Sequence, residues 1–365
     1  MPVLEKIVIS DFRNIQLQEL EFSPNVNCIS GNNGEGKTNL LDAIYYLAMT
    51  KSAFASSDKF ALRHGCDEFS LAGTYRMENA LQSRFALKMT SKGEKKVKRD
   101  DKPYQKISEH VGVLPVVMVS PADVSMVSES GEERRRFVNS VLSQMDREYM
   151  TAMQQYNRLL LQRNTVLKEP SVDRALLEVI DMRLSILAEP IYQARKKFVD
   201  QLKPIVSEYY RLLSGDSEQV DIEYESELSK AGLDMLLASS FERDRIMKHT
   251  TVGVHRDDFA FKMNGHPIRR FGSQGQQKSF LVSLKFAQYE IMKKNYGFAP
   301  ILLLDDVFDK LDMGRISNLL QMVASNDFGQ IFITDSNKVR MAGIVDRLTQ
   351  DRAYFETVGG TFTRI

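Results

Sequence analysis

The chain has 365 residues, 43% of them hydrophobic, which is enough for two or three domains or for one large core with an insertion. Its net charge of +1 gives no global field for nucleic acid, so any basic surface must be local. Two cysteines, Cys28 and Cys66, are too few for a disulfide framework and lack metal-site spacing. Because no apolar run reaches the ~18 residues of a membrane span and no signal core begins the chain, we expect a soluble cytoplasmic protein without a membrane partner.

The N-terminal part of the chain predicts strands that surround a glycine-rich turn. Leu4–Ile9 and Ile15–Phe22 are β-rich, and a short apolar strand, Val26–Ile29, leads into GNNGEGKT at positions 31–38. That stretch fits the pattern G-x-x-x-x-G-K-[ST], whose backbone N–H groups bind phosphates. An amphipathic helix is predicted over Thr38–Leu47. The sequence therefore predicts a phosphate-binding loop between a strand and a helix.

Beyond this loop, alternating patterns predict antiparallel strands at Phe69–Tyr75 and Phe85–Met89, and an apolar run predicts a strand at Val111–Val119. From Asp123 to about Ser240 the apolar period becomes helical, although Pro190 and Pro204 are expected to interrupt the second long helix. The helical segments are too short for a long arm, which favours a helical lobe over a coiled coil.

Late in the chain, ILLLDD at positions 301–306 predicts a buried strand that ends at Asp305. Ligands bind at the carboxyl ends of strands in open α/β sheets, so we expect Asp305 to hold Mg²⁺ together with the Thr38 hydroxyl. The 267 residues between Lys37 and Asp305 would then be inserted into, or laid upon, one ATPase core. Further strands are predicted at Ile331–Thr334 and in a hairpin around Gly359-Gly360.

A Ser-x-Gly-Gln turn precedes the ILLLDD strand, in FGSQGQQKSF at positions 271–280. Its glycine allows close backbone approach, and the helix that follows presents free N–H groups to a phosphate. An isolated motif of this kind is also typical of a simple polar helix cap. Its place before the strand is the place of the signature motif in ABC-type ATPases.

Several motifs together resemble the head of SMC-type ABC ATPases, and more narrowly the bacterial recombination mediators of that family. They are DFRNI at 11–15, the phosphate loop, PADVSMVSESGEERRRF at 121–137, TTVGVHRDDF at 250–259 and GSQGQQKSF at 272–280. The resemblance covers nearly the whole chain. It implies an α/β fold, with an ABC-type P-loop ATPase core, an antiparallel β subdomain and an inserted helical lobe. The implied divisions are 1–120 and 241–365 for the ATPase lobe and 121–240 for the helical lobe.

The resemblance also implies ATP and Mg²⁺ as cofactors and assigns roles to residues. Lys37 would contact the β- and γ-phosphates, while Thr38 and Asp305 would bind Mg²⁺. Asp306 stands where most ABC ATPases carry a longer glutamate that positions or activates water. Ser273 would close the signature of one subunit on the phosphate loop of another. The other implied nucleotide-binding residues are Arg13, Gly31, Asn32, Asn33, Gly34, Glu35, Gly36, Gln274, Gly275, Gln276 and Asp312.

The implied activity is slow, DNA-dependent ATP hydrolysis by an ATP-dependent homodimer. The implied partners are duplex or gapped DNA and the mediators RecO and RecR, with which the protein would help to load recombinase at gaps. The usual switch histidine and the glutamine that senses Mg²⁺ are missing, and Thr334 and Asp335 end the strand where the histidine should follow. Both departures predict a slow ATPase.

Three other functions share parts of these motifs. A transporter ATPase subunit would not need so large a helical insertion, a long-armed SMC protein needs hundreds of coiled-coil residues, and an inactive scaffold would not need the intact loop.

The candidate DNA contacts are basic clusters at 92–106, 134–136, 195–197 and 269–270. We favour an exposed helix face for the cluster at 195–197 and consider that at 269–270 the better placed for DNA.

Overall fold

The computed structural model describes residues 1–365 except 56, 130, 216–217, 309–313, 317, 320–327, 338–342 and 344–348. The strands of the described residues are β1 Val3–Phe12, β2 Ile15–Glu21, β3 Val26–Ser30, β4 Glu68–Arg76, β5 Gln82–Thr90, β6 Lys95–Arg99, β7 Lys102–Pro103, β8 Val116–Val119, β9 Val220–Glu225, β10 Asp258–Met263, β11 His266–Pro267, β12 Ile301–Leu304, β13 Ile331–Asp335, β14 Arg352–Val358 and β15 Thr361–Arg364. The α-helices whose full extent lies within the described residues are α1 Lys37–Met49, α2 Ser125–Ser128, α3 Gly131–Met145, α4 Arg147–Val166, α5 Arg174–Ser214, α6 Leu233–Met247, α7 Ile268–Phe271 and α8 Gln274–Tyr296.

The described residues divide into two units. Unit 1 comprises Met1–Asp123 and Leu281–Ile365, and unit 2 comprises Val124–Phe280. The first boundary lies close to the expected one at 120. The second lies at Phe280, well beyond the expected end of the helical lobe at 240, because β10 pairs along its whole length with β9, a strand that the helical pattern concealed.

Unit 1 contains two six-stranded sheets. The first is antiparallel, in the order β2-β1-β4-β5-β6-β7. The second, in the order β15-β14-β3-β13-β12-β8, is parallel except at its β15 edge. The strands β3 and β12 are continuous buried runs, as parallel strands covered on both faces require. Since only β13 separates them, the carboxyl end of the phosphate-loop strand lies close to that of the ILLLDD strand, as the sequence predicted.

Apolar side chains of α1 pack in one cluster with residues of both sheets of unit 1. Tyr46 of α1 meets Phe12 and Phe69 of the antiparallel sheet edge-on, with ring centroids 5.8 Å and 5.2 Å apart. Aromatic pairs in this geometry add to the free energy gained from burial. The helix that follows the phosphate loop is thereby fixed to the antiparallel sheet.

In unit 2, α5 is continuous over 41 residues, and the prediction that Pro190 and Pro204 interrupt it is wrong. Both prolines lie on the exposed face, where water can bond the carbonyls that proline leaves without a donor. Buried residues recur every three or four positions along the other face, from Leu177 to Leu213. Packing of that face maintains the helix, which is roughly 60 Å long.

The interpretation of Arg195 as part of an exposed helix face is also wrong. Arg195 is fully buried, and its guanidinium donates to Asp257 Oδ2 at 2.7 Å and to the Val254 carbonyl at 2.6 Å. Lys196 and Lys197, the next two residues, are exposed as expected. A helical period of 3.6 separates neighbours by about 100°, so one member of a basic run lies in the core while the other two face solvent.

Candidate functional site

The glycine-rich loop lies between β3 and α1, as predicted. Gly34 and Gly36 have φ angles of +87° and +108°, in the left-handed region that residues with a Cβ rarely adopt. Gly36 is the N-cap of α1 and carries no side chain to bond the first N–H groups of the helix. These donors, together with the positive end of the helix dipole, form a site for an anion.

The two residues that begin α1 have their side chains directed to the loop and to β12. Lys37 is only 3% exposed, and its Nζ donates to the Gly31 carbonyl at 2.8 Å and to the Asn32 carbonyl at 3.0 Å. The Thr38 hydroxyl lies 2.9 Å from Asp305 Oδ2 and 3.0 Å from Oδ1. The structure thus brings together the lysine, the hydroxyl and the carboxylate that the sequence assigned to one site.

Asp305 follows β12 and is almost completely buried. Burial raises the pKa of its carboxyl group, and hydrogen bonds from Thr334 and Thr38 oppose that rise. A hydroxyl and a carboxylate are the oxygen ligands that Mg²⁺ prefers, with phosphate oxygens and water completing its shell. The residues therefore fit Mg²⁺, since a cation beside this carboxylate would offset the cost of burying its charge.

An open cavity of about 270 Å³ adjoins the loop, and its lining residues are Asn33, Gly34, Gly36, Lys37, Thr38, Asn39 and Asp306. Asp306, the residue expected to position water, therefore shares a cavity with the phosphate loop. Its φ of +43° is left-handed, a conformation that is rare for a residue other than glycine. A strained residue that lines a cavity is consistent with a functional position.

The turn of the β14–β15 hairpin contacts the loop, an arrangement that the sequence did not predict. The Glu35 carbonyl accepts from Gly360 N at 2.9 Å and from Thr357 Oγ1 at 3.1 Å, and the Glu35 carboxylate accepts from Gly359 N. A Cβ on Gly360 would lie 2.4 Å from the Asn14 carbonyl oxygen. The loop is therefore held by chain segments that precede and follow it by many residues. A Gly-Gly hairpin gave no signal for such a role.

Arg13 forms its bonds away from the cavity. Its guanidinium pairs with Asp42 of α1 at 2.6 Å and donates to Ser52 Oγ at 2.9 Å. It is not among the residues that line the cavity. A direct contact between Arg13 and phosphate stays a prediction.

The signature turn belongs to unit 2, where Ser273 precedes α8. Gln276 N donates to Ser273 Oγ at 3.3 Å and Ser273 N donates to Gln276 Oε1 at 2.6 Å, which is a capping box. Ser273 and Gln274 are exposed, and Gly275 is half-buried. The single chain therefore shows the cap, and the role of Ser273, Gln274, Gly275 and Gln276 toward a nucleotide stays a prediction. Asp312 lies outside the described residues.

Thr334 is a functional candidate whose importance the sequence did not reveal. It stands near the end of β13, where a switch histidine was expected to follow, and its hydroxyl donates to Asp305 Oδ1 at 2.7 Å. The available signal was its position at the carboxyl end of a strand in the core sheet.

The basic clusters differ in what they contact. Arg134 forms two bonds to Asp258, Arg135 donates to the Asp257 carbonyl, and Arg136 pairs with glutamates of its own helix. Arg269 and Arg270 are exposed.

None of the helices in the described part of the chain has the length and hydrophobicity of a membrane span.

Comparison with known proteins covers nearly the whole chain. Residues 3–352 match the model of the RecF/RecN/SMC N-terminal domain. The DNA replication and repair protein RecF of Parabacteroides distasonis is 43% identical over 358 residues, which are 98% of each chain.

A solved structure of the recombination mediator protein RecF with ATP, in the RecFOR pathway, superposes with a TM-score of 0.90 at 29% identity, covering 100% of this chain and 98% of that one. An Smc head domain from Pyrococcus furiosus shares the fold, with a TM-score of 0.59 at 16% identity over 100% of this chain and 96% of that chain. The expected fold class, an SMC-like ABC ATPase head, is confirmed. The chain belongs to the RecF/RecN/SMC family and, within it, to the RecF proteins.

Proposed function

We propose that this protein is an ATP-dependent DNA-binding protein of replication and repair. The observation that carries the proposal is the contact between Thr38 and Asp305, which joins the phosphate loop to a buried carboxylate beside the cavity. The relative named above is a DNA replication and repair protein, and the neighbouring structure contains ATP. In the proposed cycle, ATP with Mg²⁺ binds at the loop and joins two copies, the dimer holds DNA, and slow hydrolysis releases it.

The protein's own residues would divide the work of ATP hydrolysis. Lys37 would exchange its two carbonyl partners for phosphate oxygens, and the α1 N-terminus would bind the same anion. Thr38 and Asp305 would hold Mg²⁺, which supplies charge stabilisation at the phosphates. Asp306 would orient a water molecule. Aspartate is one methylene shorter than the glutamate usual in ABC ATPases, and no histidine follows β13, so we propose weak, DNA-stimulated hydrolysis.

Binding of a fluorescent ATP analogue tests the nucleotide site. With Mg²⁺, we expect Lys37→Met to abolish binding and Asp305→Asn to weaken it, whereas without Mg²⁺ Asp305→Asn should bind as the wild type does. Asp335→Asn, a buried aspartate at the end of the neighbouring strand β13, is the matched control. Equal binding by the wild type and Lys37→Met would contradict the proposed site.

DNA recognition would use local basic surface. Lys96 and Lys98 project from the same face of β6, opposite the buried Val97, and Lys102 lies on the edge strand β7. All three lysines are exposed, and among the described residues none of them is in an ion pair. Unit 2 adds the exposed cluster at 269–270. Such side chains suit the phosphate backbone of duplex or gap-junction DNA, without reading its bases. At such junctions the protein would act with RecO and RecR to help load recombinase.

The salt dependence of DNA affinity tests this surface. Removing one side chain that neutralises a phosphate should reduce the slope of log K against log salt by about 0.9. We expect Lys96→Ala with Lys98→Ala to flatten the slope, and Lys196→Ala, an exposed lysine of α5, to leave it unchanged. A wild-type affinity that does not vary with salt would contradict backbone recognition.

A further inference from the structure

Thr334 makes two hydrogen bonds with one hydroxyl. The residue is fully buried on β13, and the pairing of Leu304 with Ile333 places it beside Asp305. Its Oγ1 donates to Asp305 Oδ1 at 2.7 Å and accepts from Asp306 N at 3.0 Å. A single side chain therefore links the carboxylate proposed to bind Mg²⁺ with the backbone of the residue proposed to position water.

The bond to Asp306 N fixes an unfavourable turn. At a φ of +43°, Asp306 needs surrounding contacts to keep its conformation. The turn brings Asp306 to the wall of the cavity that the phosphate loop also lines. Removing the Thr334 hydroxyl would take this acceptor away from the Asp306 N–H and so remove one of the contacts that hold the turn.

The bond from Thr334 to Asp305 is one of two threonine contacts that orient this carboxylate. In this structure both Thr38 and Thr334 donate to the Asp305 carboxylate. A hydroxyl that ligates a cation uses an oxygen lone pair and keeps its proton to donate, so Thr38 and Thr334 can both go on orienting Asp305 when a cation is bound. Thr38 is proposed to ligate the cation itself, whereas Thr334 would act on Asp305 only through this hydrogen bond.

We infer that Thr334 is a positioning residue of the nucleotide site, whose hydroxyl orients Asp305 toward Mg²⁺ and couples that orientation to the backbone of Asp306. The inference rests on the proposed function, because it concerns the Mg²⁺-ATP site described above. The single proton of this hydroxyl is donated to Asp305, which leaves none to donate to a phosphate. The hydroxyl therefore acts through the two aspartates and does not replace a histidine that contacts phosphate.

The test compares variants that keep or remove this hydroxyl. Thr334→Val preserves the shape and β-branching of the side chain, and Thr334→Ser preserves the hydroxyl. Titrating Mg²⁺ into protein with a fluorescent ATP analogue gives the Mg²⁺ concentration at half-saturation. Partners that orient a metal ligand typically contribute about 10- to 100-fold in metal affinity, and we expect a rise of that size for Thr334→Val. Thr334→Ser should restore the wild-type value to within about threefold.

Two further readouts separate positioning from a purely structural role. Analogue binding in EDTA should change little in Thr334→Val, and the thermal unfolding midpoint, which the lost bonds to Asp305 and Asp306 lower, should stay well above the temperature of the titration. Thr363→Val, an exposed threonine of β15, is the matched control. A Mg²⁺ titration of Thr334→Val that matches the wild type would overturn the inference, as would an equal loss of binding in EDTA. If the affinity of the wild type for the analogue did not depend on Mg²⁺, the result would contradict the proposed function itself.

Discussion

The Thr38 hydroxyl and the Asp305 carboxylate lie 2.9 Å apart, although 267 positions separate them in the sequence. One residue opens the helix after the phosphate loop, and the other follows a strand two places away in the same parallel sheet. All of unit 2 lies between them in the chain. The sheet therefore brings together, from distant parts of the sequence, the residues of the proposed nucleotide site.

The hydrogen bonds between Glu35 of the phosphate loop and the β14–β15 hairpin predict that this hairpin controls nucleotide affinity. In Gly360→Ala the new Cβ would meet the Asn14 carbonyl oxygen and displace a segment that holds Glu35. We expect the affinity for an ATP analogue to fall about tenfold, which corresponds to roughly 1.4 kcal/mol.

Gly359→Ala is the control for that change. Gly359 also has a positive φ, +57°, but a Cβ at this position would point into open space. Both variants carry left-handed strain of about 1–2 kcal/mol, so only the close approach to Asn14 distinguishes them. If the two variants bound the analogue equally well in equilibrium titrations, the hairpin would have no role in shaping the loop.

The burial of Arg195 predicts that replacing it lowers the free energy of unfolding far more than replacing its neighbour Lys196. Arg195→Met would leave Asp257 buried without its cation, and breaking a buried pair in this way costs about 3–5 kcal/mol. Lys196→Met, one residue later on the exposed face, should change the free energy of unfolding by less than about 0.5 kcal/mol. Urea unfolding monitored by circular dichroism measures both, and similar midpoints for the two variants would contradict the buried network.

The half-buried His255 predicts a pH dependence of stability. Its Nδ1 accepts from the Tyr156 hydroxyl at 3.0 Å, its Nε2 donates to the Thr250 carbonyl, and burial lowers its pKa to about 4. Between that value and the ordinary 6.5 the unfolded chain binds more protons than the folded one. The contribution of His255 to the free energy of unfolding is therefore fully present above about pH 6.5. It is lost as the pH falls toward about 4, and the total loss is about 3 kcal/mol.

Urea midpoints at about pH 7 and pH 5, on either side of the ordinary histidine pKa, measure this effect. We expect His255→Gln to be less stable than the wild type at the higher pH and to lose less stability at the lower one. His266→Gln, at an exposed position of the same unit, should keep the wild-type pH dependence. An unaltered pH dependence in His255→Gln would show that another group is responsible.

The features that could be predicted best from the sequence are those whose chemistry is local. The loop at 31–38 and the strand before Asp305 each carry their pattern within a few residues, and the structure places them as expected. Contacts between distant segments leave no such pattern. The bonds from Gly360 and Thr357 to Glu35, and from Thr334 to Asp305, depend on strand pairing that a single sequence does not display.

Side-chain burial and long-range strand pairing are also invisible in a short stretch of sequence. Arg195 belongs to a basic run, and nothing in the run shows which member faces the core until the phase of α5 is known. β9 was hidden inside a helical region because its six residues pair with β10, which follows much later in the chain. In both cases tertiary packing decided what local composition left open.

We expect ATP to bind between the phosphate loop of one copy and Ser273 of another. Sedimentation velocity with Mg²⁺ and a non-hydrolysable ATP analogue tests this arrangement in three samples: Lys37→Met alone, Ser273→Arg alone, and the two variants mixed. Each variant alone lacks one half of every composite site and should stay monomeric, with Ser273→Arg still binding the analogue. The mixture contains one complete pair of halves and should form dimers. Full dimerisation of Ser273→Arg alone would contradict the composite site.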